Sequence, residues 1–159
     1  MYQYFDRNED ETISLHDCRA TKIYRCKNLL TFELPKGFWL SGENPHNDSG
    51  RGRQTGPSRV DVHLPQPLTE NEKNDPERDV TCYLFIPKKH GKAIRKEYSL
   101  KKLMRKVNEK GRTLEFLYVY RNKNTAVFEC QLWWKRRLRS REFMLVINTE
   151  EIVFRWNNE

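Results

Sequence analysis

Four cysteines and one His-Asp-Cys triplet are the residues of this chain best suited to covalent or metal chemistry. Cys18, Cys26, Cys82 and Cys130 are scattered, with no Cys-x-x-Cys pair among them, the short spacing that brings two thiolates to one zinc ion. No charged-then-apolar leader follows Met1, so an oxidising compartment and a disulfide framework are not expected. The expectation is buried free thiols that pack like small hydrophobes. His16-Asp17-Cys18-Arg19 is different. Strand alternation would set His16 and Cys18 on one side and Asp17 and Arg19 on the other, where the imidazole could raise the thiolate fraction of the cysteine. The competing reading is structural, with His16 or Asp17 bonding backbone groups where the first strand enters a sheet.

Other catalytic patterns are missing from the sequence. His46, His63 and His90 lack ligand spacing and read as loop histidines. Gly50-Arg51-Gly52-Arg53 has neither the preceding strand nor the following helix of a phosphate loop. There is no Gly-x-Ser-x-Gly nucleophile elbow. No metal and no cofactor are therefore expected. An enzymatic or ligand-binding reading rests on His16 and Cys18, or on a barrel lined by Trp39, Tyr83, Tyr118 and Trp156.

Charge is the stronger signal. The 159 residues carry a formal net charge of +8, yet residues 1–80 sum to −3 and residues 81–159 to +11. Eleven lysines and arginines lie between Pro87 and Arg112 against Glu97 and Glu109, and five more fall between Lys135 and Arg141 with no acid among them. Charge of this density argues for a polyanionic or acidic partner and says nothing about fold.

The elements that must position these residues are mostly strands. Residues 13–40 read as a meander with turns at Cys26-Lys27-Asn28 and Pro35-Lys36-Gly37. Residues 41–79 hold five of the seven prolines and read as a Pro/Gly-rich insertion with one strand near Val60–Leu64, expected to be mobile over Gly42–Arg59 and Thr69–Arg78. Val80–Ile86 reads as an interior strand. A helix is predicted over about residues 99–109, with Ser99 as its cap, Leu100, Leu103, Met104 and Val107 as its apolar face, and Gly111 as its left-handed stop. Four further runs, Thr113–Tyr120, Thr125–Trp134, Arg141–Ile147 and Glu151–Trp156, are joined by turns short enough to make antiparallel hairpins. In this pattern Leu114, Phe116, Tyr118 and Tyr120 share a face. The fold class is α+β, mostly β: a single domain with a curved antiparallel sheet or partly closed barrel of about eight strands and one amphipathic helix.

Leu15-His16-Asp17-Cys18-Arg19, then Lys22-Ile23, a turn and Leu30-Thr31-Phe32, resembles the opening of many small bacterial β-rich proteins, some uncharacterised and some immunity proteins. The similarity spans about Ile13 to Phe38. It implies a bacterial, non-enzymatic, partner-binding protein. The strongly basic second half departs from the acidic surfaces with which immunity proteins oppose basic nucleases.

If the apolar helix face docks on the sheet, Lys101, Lys102, Arg105 and Lys106 project outward. Arg136, Arg137, Arg139 and Arg141 would extend that cationic surface along a hairpin, beside Trp133 and Trp134. Such a surface suits phosphate contacts, with aromatic rings adding base stacking. The leading expectation is a cytoplasmic bacterial or phage binding protein, not an enzyme, that engages nucleic acid, a nucleoprotein or an acidic protein and no membrane. The alternative is an inhibitor that recognises one protein through the Gly42–Arg78 insertion.

Overall fold

The computed structural model describes residues 1–136 and 138–158. In chain order the first half holds β1 (Tyr4–Asp6), β2 (Ile13–Ser14), β3 (Cys18–Ala20), β4 (Lys22–Cys26), β5 (Leu29–Leu34), β6 (Trp39–Leu40), β7 (Arg53–Gln54), β8 (Ser58–His63) and α1 (Glu70–Asn74). The second half holds β9 (Val80–Ile86), β10 (Ile94–Tyr98), α2 (Leu100–Asn108), β11 (Thr113–Arg121), β12 (Thr125–Trp133), β13 (Ser140–Asn148) and β14 (Glu151–Trp156). No helix among the described residues is long and apolar enough to cross a membrane.

The strands form three antiparallel sheets. Sheet I runs β1-β14-β8-β5-β4, sheet II runs β10-β9-β13-β12-β11-β3, and sheet III is the small β2-β6-β7 unit. None closes on itself, so the fold is layered and mostly β, with 14 strands in place of about eight and no closed barrel. The inner faces of sheets I and II meet through Phe32 on β5, whose ring lies edge-on to Phe116 of β11 at 5.2 Å and 6.0 Å from Phe128 of β12. One cluster of buried side chains spans both sheets and takes in Leu100, Leu103 and Val107 of α2. Edge-to-face rings and interdigitated aliphatics are the usual way two twisted sheets fill the space between them.

Two of the chain's three direct passages between the two large sheets fall at threonines. The first falls at Thr21, whose N–H bonds Glu33 O at 3.0 Å, so that β3 belongs to sheet II and β4 to sheet I. The turn at Asn148-Thr149 likewise makes no hairpin. Thr149 is buried and donates its hydroxyl to the His63 carbonyl at 2.7 Å, which carries β14 away from β13 to pair with β8 and β1.

Residues 41–79, read from the sequence as an insertion, supply β8, the central strand of sheet I. Val60 and Val62 of β8 are fully buried. Ahead of it, buried Asn47 donates to the Leu40, Ser41 and Arg51 carbonyls, and buried Asn44 donates to Thr12. The strand near Val60–Leu64 is thus present, and what the sequence concealed is the anchoring of the segment ahead of it, which side-chain amides rather than apolar residues hold to the core. Gly37 ends the preceding turn at φ 73°, and a Cβ there would fall 2.3 Å from the Thr55 carbonyl oxygen.

A bulge overturns one expected face. Pairing between β11 and β12 shifts register between Phe116 and Tyr118, with Leu117 as the extra residue. Tyr118 and Tyr120 therefore turn from the core face to the outside and are 53% and 54% exposed. Trp39 is also exposed whereas Trp156 is fully buried, so the four aromatic residues expected to line a barrel share no interior.

Candidate functional site

Helix α2 forms as its sequence dictates. Ser99 accepts from the Lys102 N–H at 2.9 Å, and Gly111 takes the left-handed conformation at φ 68°. The N-terminal donors left over are met by a residue far upstream: the Glu77 carboxylate accepts from the N–H groups of Leu100 at 2.6 Å and Lys101 at 3.1 Å. The positive end of the helix is thereby closed by a carboxylate. At the other end, Asn108 accepts from the Ile23 N–H at 2.9 Å and donates to the Ile23 carbonyl at 2.7 Å. One amide side chain thus occupies backbone groups on the open side of β4, an edge strand of sheet I.

With the apolar face of α2 docked, Lys101, Lys102 and Arg105 are exposed and Lys106 is half-buried. On the β12–β13 hairpin, closed by the Trp134 N–H to the Arg139 carbonyl at 3.0 Å, Arg136 and Arg139 are exposed and Arg141 is half-buried. Arg137 lies outside the described residues.

The two basic runs are joined by residues the sequence reading did not single out. Arg112, just past the helix stop, donates to the Trp133 and Leu132 carbonyls at 3.3 Å each and lies 4.0 Å over the Trp134 ring. Burial pulls its guanidinium below the ordinary arginine value; neighbouring Arg141 pushes in the same direction, and Tyr98 opposes. Tyr98, in turn, is raised by burial and drawn down by Arg112 and Arg105. Lys102 sits 4.7 Å over the Tyr98 ring, and the Lys135 side chain packs where a Cβ on Gly111 would go. The link from helix stop to hairpin strand is therefore Arg112, through its bonds to the Leu132 and Trp133 carbonyls and its place over Trp134. The sequence clue to Arg112 was its place one residue after the helix-ending glycine, where the chain must turn back onto the sheet.

Every ion pair among the described residues lies outside the two basic runs. Among the described residues, the cations of α2 and of the hairpin have no carboxylate within salt-bridge distance. The tryptophans, by contrast, are already engaged: Trp134 lies under Arg112, and Trp133 under Arg19 at 4.5 Å. They do not offer the free stacking faces expected from the sequence.

The His16-Asp17-Cys18 geometry does not arise as expected. Asp17 adopts φ 60°, which breaks the strand alternation that would have put His16 and Cys18 side by side. Cys18 is buried, and burial, reinforced by Asp17, pushes its thiol up to about 12. His16 is exposed and its Nδ1 lies 2.7 Å from the Leu117 carbonyl; since a carbonyl only accepts, Nδ1 carries the hydrogen. The Asp17 N–H bonds the Phe116 carbonyl at 2.8 Å. His16 and Asp17 thus pin the β11 bulge, and His16 borders an open cleft of about 850 Å³ lined also by Tyr118, Arg121 and Lys123. Among the described residues no three His, Cys, Asp or Glu side chains converge as a metal site.

Comparison with known proteins finds no matching family model, no similar curated protein and no similar solved structure.

Proposed function

We propose that this chain is a non-enzymatic binding protein, bacterial or phage-encoded, that engages nucleic acid through the surface formed by α2 and the β12–β13 hairpin. The observation that carries this reading is that Arg112 ties the end of one basic run to the strand leading into the other, with no carboxylate paired to the cations of either run among the described residues. Unpaired cations hold an anion atmosphere in solution, and a phosphate chain that displaces it gains the entropy of ion release. Contacts of this kind position a backbone and carry no sequence information. Lys101, Lys102, Arg105, Lys106, Arg136, Arg137, Arg139 and Arg141 are the binding residues of this reading, with Arg112 tying the helix stop to the hairpin strand.

The test is fluorescence anisotropy of a labelled oligonucleotide over a range of salt concentrations. The logarithm of affinity should fall linearly with the logarithm of salt, by about 0.7 for each single-strand phosphate contacted. Reversal of the charges at Lys101, Lys102, Arg105 and Arg139 should abolish binding. Undiminished binding by that variant, or a salt-independent affinity, ends the proposal.

A further inference from the structure

We infer that the groove between α2 and β4 is a nucleobase subsite, so that the chain selects single-stranded over duplex nucleic acid; the inference rests on the nucleic-acid reading above. The groove has a volume of about 560 Å³ and is lined by Tyr24, Met104 and Asn108 together with Lys101, Lys102 and Arg105. Concavities of about 300–1,000 Å³ are the range in which small aromatic ligands are held.

The aromatic residues around the cationic surface divide into two kinds. Tyr98 is covered by Lys102 at 4.7 Å, Trp134 by Arg112 at 4.0 Å, Trp133 by Arg19 at 4.5 Å and Tyr83 by Arg95 at 4.7 Å. Each of these rings spends a face on a cation of its own chain. Tyr24 is the exception: it is 41% exposed, lines the groove, and has no cation over its ring among the described residues. Its position follows from β4 being an edge strand and from α2 stopping at Asn108.

Side chains, not the helix end, must meet the phosphates here, because Glu77 already occupies the first two N–H groups of α2. Lys101, Lys102 and Arg105 line the same groove as Tyr24, so a base stacked on the ring would leave its own phosphates within reach of three cations. Asn108 spends its amide on Ile23 and so has little left with which to read base edges. The subsite therefore accepts any base that is free to unstack, and a duplex, whose base faces are buried in its own stack, cannot use it.

Three probes separate the possibilities when titrated against the full chain: a short oligothymidylate, an abasic deoxyribose-phosphate oligomer of equal length, and a duplex of equal charge. The oligothymidylate should bind about ten- to a hundred-fold tighter than the abasic oligomer, the usual gain from one or two stacked bases. Tyr24→Ala should erase that preference while leaving abasic affinity unchanged, which also reports an intact fold; Tyr24→Phe should keep it. Equal binding of the thymidylate and abasic probes by the native chain, or a preference that survives Tyr24→Ala, overturns the subsite and leaves phosphate binding standing. Failure of all three probes to bind overturns the nucleic-acid reading itself.

Discussion

On the outward face of sheet I, Arg59 and Arg155 close on Asp61 at 3.0 and 2.9 Å, and Thr31 donates its hydroxyl to the same carboxylate at 3.0 Å. Asp61 is only 1% exposed, although it faces away from the core shared with sheet II. At the helix-and-hairpin surface, Lys101, Lys102, Arg105, Arg136 and Arg139 are exposed and have no acid to close on among the described residues. Both regions are rich in arginine. In the first, the carboxylate is desolvated and depends on its two arginines and Thr31, so the group belongs to the fold. In the second, water solvates each charge and folding gains little from it, so the charge is available to something outside the molecule. Cation density alone would have ranked the regions by composition; pairing ranks them by use.

The sharpest way to break this contrast is to remove one member of the paired region. Asp61→Ala should cost about 2–4 kcal/mol of stability, because Arg59, Arg155 and Thr31 lose their shared acceptor while water still reaches the two guanidinium groups. The four-fold reversal at Lys101, Lys102, Arg105 and Arg139 should cost less than about 0.5 kcal/mol per site, as for ordinary surface substitutions. Urea midpoints measure both, and comparable losses would dissolve the distinction.

A smaller effect should come from the joint between α2 and sheet I. Asn108→Ala leaves the Ile23 N–H and carbonyl without their partner and should cost about 1–3 kcal/mol. Faster amide exchange at Ile23 should accompany it. Oligonucleotide affinity at the hairpin should survive, and loss of the Tyr24-dependent preference would show that the joint also shapes the groove.

Alkali should act on the core before it acts on the surface guanidinium charges. Burial holds the Cys18 and Cys82 thiols at about 12. The native state therefore retains protons that the unfolded chain releases above the ordinary thiol value, and stability should fall as pH rises from about 9 toward 12. Each thiol should contribute up to about 1.4 kcal/mol per pH unit. Cys26 is exposed whereas Cys18, Cys82 and Cys130 are buried, so a thiol reagent at neutral pH should label Cys26 alone in the native chain. Rapid labelling of Cys18 would restore the idea of an activated thiol beside His16.

Much of the local structure was legible in the sequence because it depends on neighbours. The cap at Ser99, the apolar residues Leu100, Leu103 and Val107 and the stop at Gly111 all lie within one helix, and all are observed in their expected roles. The strands after Gly111 were legible for the same reason. The missed elements are those whose partners are distant. β1 forms on β14 from the opposite end of the chain. β10 carries exposed residues at four of its five positions and has no alternation to read. The bulge at Leu117 flips Tyr118 and Tyr120 without leaving a mark in the hydrophobic pattern.

By itself, then, the sequence determined a β-rich chain with one amphipathic helix and an excess of positive charge confined to its second half, since composition, period and capping are properties of adjacent residues. Tertiary structure decided which elements would carry that charge side by side. It did so through Arg112, which ties the helix stop to the strand end by hydrogen bonds to Leu132 and Trp133, and through Asn108, which sets α2 against the edge of β4 and leaves Tyr24 open beside Lys101. Those contacts join residues twenty to eighty-five positions apart, and only a closed chain can choose them.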